Sequence, residues 1–566
     1  MWWLNRNKKS IFILTLIVLF CIPSVLSLFH PGFFQSDDGE WMVIRFSAFY
    51  QTLADGQFPV RFLGRLNHEY GYPVANFLYP GFMYLGVPIH VLGFGFVDTI
   101  KIIFGASMIF SSIFCFLWLS KFFDRLPSFI GSLFYLYTPY HLFDLYKRGS
   151  VGEVLAFAVL PFILWQIERK SLFWSAISIA FLIISHNTLA VLFLPIIFVY
   201  ALYFGFTSEE PKSPLRHLRG GTKSLLGGGV LMMLLGLGLS AFFWIPAFFE
   251  LQYTVFSQTQ VSNVNSYFAS TDLIGFSTIL ILLLTVAFFF SSIIKINKHR
   301  LTALLFIVSL ISVFFASPLS APFWKILPVG FIQFPFRFLS LTIVCVAFLA
   351  ACIVSASPPK LKMPIVILSL IILAISARPF ISPSEFFDKG EGFYATNMDT
   401  TTVKNEYMPK WVKEKPTERF VEKVEIVEGV GKVNNITYNS KKITFNVLAE
   451  EKMKVRVNTI YYPGWKAIAY LSSCHPEASA EGSREILRSA QNDNKCARNI
   501  VIDYQNEKGV MEIKIPKGNN KVELKFSETP LRLFADILSI ISILLLVFYG
   551  SISRKEQGHI KVRVSS

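Results

Sequence analysis

The fold class is decided by residues 10–29, which read SIFILTLIVLFCIPSVLSLF and follow the basic residues Arg6, Lys8 and Lys9. A helix needs roughly 20 predominantly apolar residues to cross a bilayer, and this stretch supplies them. A basic start and an apolar run are also typical of a signal peptide. However, there is no obvious small-x-small cleavage site, and more apolar runs follow. We therefore interpret the stretch as an uncleaved membrane anchor.

The composition of the whole chain agrees with this interpretation. Of the 566 residues, 53% are hydrophobic and only 16% are charged, whereas a soluble globular protein has about 25% charged residues. Too little polar surface remains to cover several soluble domains. We predict a polytopic α-helical membrane protein with about 12 spans, at residues 10–29, 100–120, 127–145, 151–167, 171–187, 188–206, 225–249, 273–294, 301–316, 338–356, 363–378 and 531–550.

The charges determine the predicted topology. A net charge of +16 would indicate a nucleic-acid partner in a soluble protein. Here most loop cations fall on one side of the predicted membrane, which the positive-inside rule makes cytoplasmic. Both termini are then cytoplasmic, and no nucleic-acid partner is expected. Residues 77–97 are apolar enough to cross, but one crossing would invert every later loop. We therefore predict a re-entrant or interfacial helix on the outer side.

Three regions follow from this topology. Residues 1–378 form the transmembrane domain, with a large first outer loop at 30–99, and residues 530–566 form the last helix and a cytoplasmic tail. Between them, residues 379–529 are predicted to form an extracytoplasmic β domain, a β-sandwich or jelly roll. Its predicted strands alternate or are β-branched, at residues 421–428, 432–438, 441–448, 452–462, 500–505, 509–515 and 520–526.

Residues 472–497 interrupt the β domain. The stretch is polar and contains no Phe, Trp or Tyr. Its string HPEASAEGSREILRSAQNDN resembles translated copies of a dispersed bacterial DNA repeat. We interpret it as an inserted loop without function. Cys474 and Cys496 flank the string, and they either form a disulfide outside the membrane or remain unpaired.

Three carboxylates open the first outer loop, in the run SDDGEW at 36–41. Asp37, Asp38 and Glu40 directly follow the first span, and ionisable groups near a membrane are candidates for a functional site. They can act as a general base, a metal ligand or a cation-binding group. Adjacent side chains point in different directions, so we expect one Asp to face a site and the other to orient the loop. The alternative is an acidic N-cap before an amphipathic helix, 41–53, that lies on the membrane.

A cationic run on the outer side opposes the cytoplasmic charge trend. Residues 146–153 read YKRGSVGE, and Arg148 could hold a phosphate bidentately. The alternative is a structural ion pair between Arg148 and Glu153 or Asp144.

Further polar residues occur in the first loop and at other outer helix ends. His68 is a lone histidine in the first loop, and His186 ends an apolar span in the run SHN. Each could line a site. The alternative for His68 is a structural role, and the alternative for His186 is capping of a short turn between two spans. Arg337 in the run FPFR, 334–337, places another cation at an outer mouth, with snorkelling as its alternative. Together the candidates indicate a polar acid–base site that faces outward at the membrane surface.

Several short motifs resemble a known superfamily. A first span, an outer loop that begins with Asp37-Asp38, and Tyr79-Pro80 before a broken apolar segment are similar to the GT-C integral membrane glycosyltransferases. The runs RGSVGE, FPFR, YYPGW (461–465) and IPKG (515–518) resemble a narrower bacterial group labelled "6-pyruvoyl-tetrahydropterin synthase-related", akin to YfhO-type membrane proteins. The resemblance covers nearly the whole chain except 472–497. The nine histidines are scattered singly, unlike the zinc-binding cluster of soluble pterin synthases, so no pterin chemistry is expected.

The resemblance implies an inverting hexosyltransferase. Such an enzyme moves a sugar from a polyprenyl-phosphate donor in the membrane to a glycan, lipid or protein acceptor of the cell envelope, on the outer face of the bacterial cytoplasmic membrane. It implies that Asp37 or Asp38 is the base, and that Arg148 and Arg337 bind phosphate. The expected substrate-binding set is Glu40, His68, Arg148, Glu153, His186 and Arg337. The β domain would cover the site or grip the acceptor. Some relatives use a divalent metal such as Mg²⁺ or Mn²⁺, and the sequence leaves that open.

Two other function classes compete with the enzyme. The first is a transporter or flippase of lipid-linked glycans, and the second is a catalytically silent membrane scaffold. Transporters usually contain repeats with matched broken helices in both halves, whereas only 77–97 is broken here. A silent relative would be expected to have lost the Asp37-Asp38 pair, which is intact. Both observations favour the enzyme.

Overall fold

The computed structural model describes residues 2–207, 221–258, 263–290, 299–326, 332–471 and 497–564. Most of the described helices lie before residue 378, and one long helix follows the C-terminal strands. Their bounds are α1 Trp2–Val25, α2 Gly39–Ala54, α3 Gly81–Val91, α4 Phe96–Leu119, α5 Arg125–Tyr137, α6 Pro139–Phe143, α7 Val151–Glu168, α8 Leu172–Ser185, α9 Asn187–Thr207, α10 Gly221–Leu239, α11 Ala241–Glu250, α12 Thr271–Ile274, α13 Phe276–Phe290, α14 His299–Ala316, α15 Ala321–Ile326, α16 Leu339–Ala356, α17 Pro359–Ala377, α18 Gly390–Thr396 and α19 Pro530–Val564.

The helices are those of a membrane protein. Within the described residues, six stretches are long and apolar enough to cross a bilayer, namely Ile11–Phe29, Phe96–Leu119, Val151–Glu168, Pro335–Ala356, Pro359–Phe380 and Pro530–Ser551. The number rises to eight if each of two bent pairs is one span. One pair, α10 and α11, meets at 69°, and the other bends by 79° just before Pro318, where proline cannot continue the helix. The predicted total of about 12 spans stays a prediction, because α8 and α13 are shorter than a full crossing.

Helix α16 lies at the centre of the helical body. Its residues are apolar all round, and 94% of its most hydrophobic window is buried, as expected for a helix without a polar face. It packs against α5 and α14, and α4 packs against α7. Cys345 and Cys352 are buried in α16, in the packing role that the sequence predicts.

The broken apolar segment 77–97 contains the short helix α3. Its 11 residues span about 16 Å at 1.5 Å per residue, roughly half the hydrocarbon thickness of a bilayer. Gly86 packs against the ring of Phe46 in α2. The positive φ of Gly93, +105°, turns the chain into α4. The segment therefore does not extend far enough to be a complete span.

The C-terminal region contains two antiparallel sheets. Apart from the two-residue pair β1 Phe33–Phe34 and β2 Phe386–Phe387, the strands are β3 Val424–Glu428, β4 Gly431–Tyr438, β5 Lys442–Ala449, β6 Met453–Ile460, β7 Trp465–Leu471, β8 Ala497–Ile500, β9 Ile502–Asp503, β10 Val510–Ile515 and β11 Gly518–Phe526. One sheet has the order β3-β6-β10-β9 and the other β4-β5-β11-β7-β8. Val447 and Val522 from one sheet share a buried apolar core with Val455 and Ile513 from the other, which is a sandwich packing.

The sequence prediction missed two of these strands. Strand β7 begins at Trp465, the last residue of the run YYPGW, and β8 begins at Ala497, the last residue of the stretch interpreted as an inserted loop. The two strands pair with each other, Tyr470 opposite Ala497. The stretch itself lies outside the described residues from 472 to 496, as do Cys474 and Cys496.

The first part of the predicted β domain packs on the first outer loop instead of joining the sandwich. Strand β2 pairs with β1, with Phe33 opposite Phe387. The side chain of Arg45 in α2 donates to Thr401 Oγ1 at 2.9 Å, and the backbone N–H of His68 donates to the carbonyl of Met398 at 3.0 Å. Residues 386–412 therefore form a strap that packs against the first outer loop, although more than 300 residues of sequence separate the two.

Candidate acid–base site

The acidic loop lies against the cationic run, and main-chain hydrogen bonds hold the two together. The N–H groups of Asp37 and Asp38 donate to the carbonyl oxygens of Lys147 and Arg148, at 2.9 and 2.8 Å. Gly149 makes this approach possible, because a Cβ there would lie 2.7 Å from the nitrogen of Gly39. Its φ of +63° also favours glycine. The predicted motifs SDDGEW and RGSVGE therefore lie in direct contact and form one site.

The two adjacent aspartates point to different partners. Asp38 Oδ2 lies 3.1 Å from Arg148 Nη2, and the Asp38 side chain is 29% exposed. Asp37 Oδ1 lies 3.7 Å from Lys147 Nζ, with both side chains about half exposed or more, at 49% and 66%. Asp38 is thus the carboxylate that faces the protein interior, and Asp37 faces solvent.

Asp38 precedes α2 without capping it. The residue occupies the N-cap position, yet its side chain makes no capping hydrogen bond. Helix α2 is buried at consecutive positions from Met42 to Phe49, so both its faces are covered. This differs from the alternative of an acidic cap before a helix lying on the membrane surface, because such a helix would expose one face.

Behind Asp38, a fully buried carboxylate gathers three nitrogen groups. Oε1 of Glu153 lies 3.0 Å from Arg337 Nε, 3.5 Å from His186 Nε2 and 3.7 Å from Arg148 Nη2. Its Oε2 accepts a hydrogen bond from the hydroxyl of Tyr140 at 3.1 Å. Four residues from the predicted site, at the ends of different helices, therefore converge with Asp38 in one network.

Arg148 joins the buried and exposed parts of this network. Its Nη2 contacts both Glu153 and Asp38, and the residue is 4% exposed. Burial lowers the pKa of Arg148, but the carboxylates of Glu153, Asp38 and Asp144 outweigh burial and hold the pKa above its ordinary value. Its Nη1 is buried and has no hydrogen-bond partner among the residues that the structure describes. A buried donor without a partner is unfavourable, so Nη1 is available to an anionic oxygen.

Aromatic rings frame the two arginines. The guanidinium of Arg148 lies 5.0 Å from the ring centre of Phe334 and 5.2 Å from that of Phe336. Arg337 lies 4.8 Å from the ring of Phe334. Cation–π contacts of this kind fix a guanidinium plane where water is excluded. The run FPFR thereby supplies both a cation and the rings that orient it and its neighbour.

His186 has a second contact that sets its tautomer. Its Nδ1 accepts a hydrogen bond from the N–H of Leu189 at 3.2 Å, so the ring proton is on Nε2, toward Glu153. The ring of Tyr79 lies 4.5 Å from the imidazole. The ring of Tyr79 also packs on Gly152. A Cβ at Gly152 would enter this ring and would lie 2.5 Å from the carbonyl oxygen of Ser185.

The structural alternatives considered for Arg148 and His186 are also found in the structure, whereas the one for Arg337 is not. Arg148 forms an ion pair with Glu153, and His186 accepts a hydrogen bond at the start of α9, while both also belong to the network. Arg337 is 5% exposed and bound to Glu153 and to Gln333 Oε1. A snorkelling side chain would instead extend to solvent.

Two predicted site residues lie outside the network. Glu40 forms an ion pair with Lys389 of the strap at 2.5 Å. The backbone of His68 has a φ of +55° and bonds to Met398. In the part of the chain that the structure describes, no contact joins either residue to Asp38 or Glu153. Their predicted roles in substrate binding remain predictions.

Sequence reasoning missed two residues that border the site. Tyr140 sits in the short helix α6 and looked like an ordinary residue of an apolar span. Arg45 is 5% exposed and was included in an amphipathic helix. It is the one charged residue between Glu40 and Asp55, and that isolation was the available signal. Asp144 was named only as a partner for Arg148. It is fully buried in a π-helical turn, Asp144–Arg148, and its carboxyl group interacts with Glu153.

The donor set does not fit a divalent metal. The carboxylates of Asp37 and Asp38 face Lys147 and Arg148, whose positive charges occupy the direction in which an ion would bind. Over the described residues, no group of three His, Cys, Asp or Glu side chains could hold a metal ion.

A second buried ion pair connects the β domain to the helices. Glu250 binds Arg532 through two contacts of 2.8 and 2.7 Å, and it accepts hydrogen bonds from the Tyr462 hydroxyl at 3.0 Å and from Asn76 at 2.9 Å. Tyr462 belongs to the run YYPGW. A Cβ on Gly464 in that run would lie 2.9 Å from Arg532 Nη1. This motif therefore fixes the junction with α19.

No protein-family model and no curated protein matches the chain. Among solved structures, it is similar to the arabinofuranosyltransferase AftD from mycobacteria, with 15% identity over 67% of this chain and 28% of that chain, and a TM-score of 0.44. It is also similar to the oligosaccharyltransferase of Archaeoglobus fulgidus. The complex with zinc and sulfate has 15% identity, coverage of 67% and 54%, and a TM-score of 0.34. The apo form has 13% identity, coverage of 70% and 61%, and a TM-score of 0.38. The chain thus spans less than two thirds of each of these proteins, and likenesses at such TM-scores decide neither fold nor activity.

Proposed function

We propose that the protein is a membrane glycosyltransferase of the GT-C type, which transfers a sugar from a polyprenyl-phosphate donor to an acceptor hydroxyl on the outer face of a bacterial cytoplasmic membrane. One observation carries the proposal. The partly exposed carboxylate of Asp38 lies 3.1 Å from the buried guanidinium of Arg148. A proton acceptor and a phosphate-binding cation therefore stand side by side near the bilayer surface.

The proposed reaction is a single displacement. The acceptor oxygen attacks the anomeric carbon of the donor sugar, a new glycosidic bond forms, and the bond from that carbon to the phosphate oxygen breaks. Asp38 takes the proton of the acceptor hydroxyl. The bond electrons leave with the polyprenyl phosphate, whose added negative charge is stabilised by Nη1 of Arg148. Because the acceptor attacks from the side opposite the leaving phosphate, the configuration at the anomeric carbon is inverted.

The remaining network residues hold Arg148 in place. Glu153 is fully buried and contacts both Arg148 and Arg337, so it sets the separation of the two guanidinium groups. Phe334 limits their rotation. Arg337 is already bonded to three oxygens, and we propose that it orients Glu153 and adds positive potential for the phosphate. Preorganised charge of this kind needs no rearrangement during the reaction.

The experiment compares three forms of the full chain in lipid nanodiscs. Purified wild type, Asp38→Asn and Asp37→Asn are incubated with radiolabelled polyprenyl-phosphate sugars and candidate acceptors. Loss of a general base typically lowers the rate by about 10²–10⁴-fold, which is expected for Asp38→Asn. Asp37→Asn is the matched control, since its side chain faces Lys147 and solvent, and it should keep activity.

Two results would contradict the proposal. Full transfer by Asp38→Asn would remove Asp38 from the base role. Absence of transfer by wild type with every donor, together with movement of the lipid-linked sugar across the membrane, would support a transporter instead.

A further inference from the structure

A cleft on the outer β domain shares none of the residues of the acid–base network. Its volume is about 850 Å³, in the range of ligand-binding sites. It lies along β6, β8, β9 and β10, at one end of the sandwich. The residues that matter for recognition are Lys454, Arg498, Asn499, Tyr504, Gln505 and Lys514.

The cleft carries an excess of positive charge. Its lining contains five cations, Lys452, Lys454, Arg498, Lys514 and Lys517, and two carboxylates, Asp503 and Glu512. Lys454 contacts both carboxylates, at 2.5 Å for Glu512 and 3.8 Å for Asp503. Among the described residues, the other four cations form no ion pair, and all four are exposed. An unneutralised group of cations in a concave surface attracts an anion.

One aromatic ring gives the cleft a flat apolar surface. Tyr504 lines it, and its ring is stacked on Tyr461 with centres 4.2 Å apart and planes within 5°. Trp411 supports the same ring at 5.3 Å. A rigid aromatic face of this kind packs against the C–H face of a sugar ring. Asn499 and Gln505 beside it offer amide groups, which donate to and accept from hydroxyls.

From the cations, the supported ring and the amides, we infer that this cleft binds an anionic polysaccharide. Sugar rings pack on Tyr504, while carboxylate or phosphate groups along the polymer pair with Arg498, Lys514 and neighbouring lysines. The shared chemistry is a negatively charged saccharide chain. Its charge comes either from uronic acids or from phosphodiesters, and the test separates these two sources.

The test uses the full chain in nanodiscs of neutral lipid and measures binding by fluorescence anisotropy. The probes are a labelled oligogalacturonate, a labelled glycerol-phosphate oligomer, a neutral maltooligosaccharide and a DNA oligonucleotide of equal charge. We expect saturable binding of the oligogalacturonate, the glycerol-phosphate oligomer or both. This binding should weaken at high salt, and the neutral maltooligosaccharide should not bind. The probe bound more tightly identifies the source of the charge.

Variants test the contacts directly. Arg498→Ala with Lys514→Ala should weaken binding by about tenfold or more, equivalent to about 1.4 kcal/mol, and Tyr504→Ala should weaken it as well. The control is Lys432→Ala with Lys521→Ala, two exposed lysines of β4 and β11 that do not line the cleft, which should bind as wild type does. Thermal unfolding of each variant checks that it is folded.

Three outcomes would overturn the inference: no saturable binding of either anionic saccharide, equal binding of DNA, or binding unchanged by Tyr504→Ala. Because the measurement involves no sugar transfer, these outcomes are independent of the activity of Asp38.

Discussion

The carboxylate of Glu153 holds the guanidinium of Arg337 at 3.0 Å, and neither side chain reaches solvent to more than a few per cent. Breaking a buried ion pair from one side leaves an uncompensated charge and costs about 3–5 kcal/mol. We expect Glu153→Gln to lower the free energy of unfolding by that order, because Arg148 loses its partner too. Denaturant unfolding in detergent measures the change. The control is Glu507→Gln, whose exposed pair with Lys413 should contribute less than about 1 kcal/mol.

Gly152 permits the close packing of α7 on the turn that bears His186. A Cβ at this position would lie 2.5 Å from the carbonyl oxygen of Ser185 and would also enter the ring of Tyr79. Gly152→Ala should therefore destabilise the protein by about 1–3 kcal/mol, as overpacking does, and displace His186 from Glu153. In Gly392→Ala the added methyl meets nothing within 4 Å, and helix propensity makes that change neutral or stabilising. Equal melting temperatures for the two variants would contradict the steric argument.

The hydroxyl of Tyr462 is one of two neutral donors to the buried carboxylate of Glu250. Tyr462→Phe removes this hydrogen bond to a charged group and should cost about 1.5–3 kcal/mol. Tyr50→Phe is the matched change, since no hydrogen bond from its hydroxyl occurs among the described residues. Thermal unfolding of the two variants side by side makes the comparison. A Tyr462→Phe protein as stable as Tyr50→Phe would show that Arg532 alone satisfies Glu250.

Lys423 should make the free energy of unfolding of the protein depend on pH. Burial lowers the pKa of this amine from 10.5 to about 7, with Glu69 opposing the shift and Arg419 adding to it. Its Nζ donates to the carbonyls of Glu69 and Asn458, at 2.9 and 2.8 Å, and the two N–H bonds of a neutral amine suffice for both. Between these pKa values the unfolded chain binds more protons than the folded chain. The free energy of unfolding should therefore rise from pH 7 toward pH 10, by at most about 1.4 kcal/mol per unit.

The variant Lys423→Met provides the test of this pH dependence. Unfolding of wild type and variant is followed from pH 6 to pH 9.5, and the difference between the two curves should change over that range. Lys432→Met serves as control, because the side chain of Lys432 is exposed. Parallel curves for wild type and Lys423→Met would contradict the lowered pKa.

The stretch 472–496 should be dispensable. Strands β7 and β8 on either side of it are antiparallel neighbours, with Tyr470 opposite Ala497, so a short Asn-Gly turn can join their ends. Loop-closure cost depends only weakly on loop length, and we expect the shortened chain to unfold within a few degrees of the wild type. Failure of the shortened chain to fold would assign the stretch a structural role.

The helical body and the position of the acidic loop follow from local sequence, because apolar runs and charges act over short distances. Arg148, His186 and Arg337 were placed on one side by the charge of distant loops, and they do meet at Glu153. Pairings over long sequence separations were not predictable. Nothing near Glu40 indicates that Lys389 neutralises it, and nothing near Phe33 indicates that Phe387 continues its strand. The role of His68 stays a prediction, since an isolated histidine reads the same in a site and in a turn.

The pairing of Glu250 with Arg532 has a consequence for biosynthesis. The two residues are 282 positions apart, and at 5–20 residues per second a ribosome needs roughly 15–60 s to make the intervening chain. During that interval the carboxylate lacks its guanidinium. A nascent chain that stops before the final helix carries an exposed charge where the finished protein has none. The junction between α11 and α19 can therefore close only after the last helix has been made.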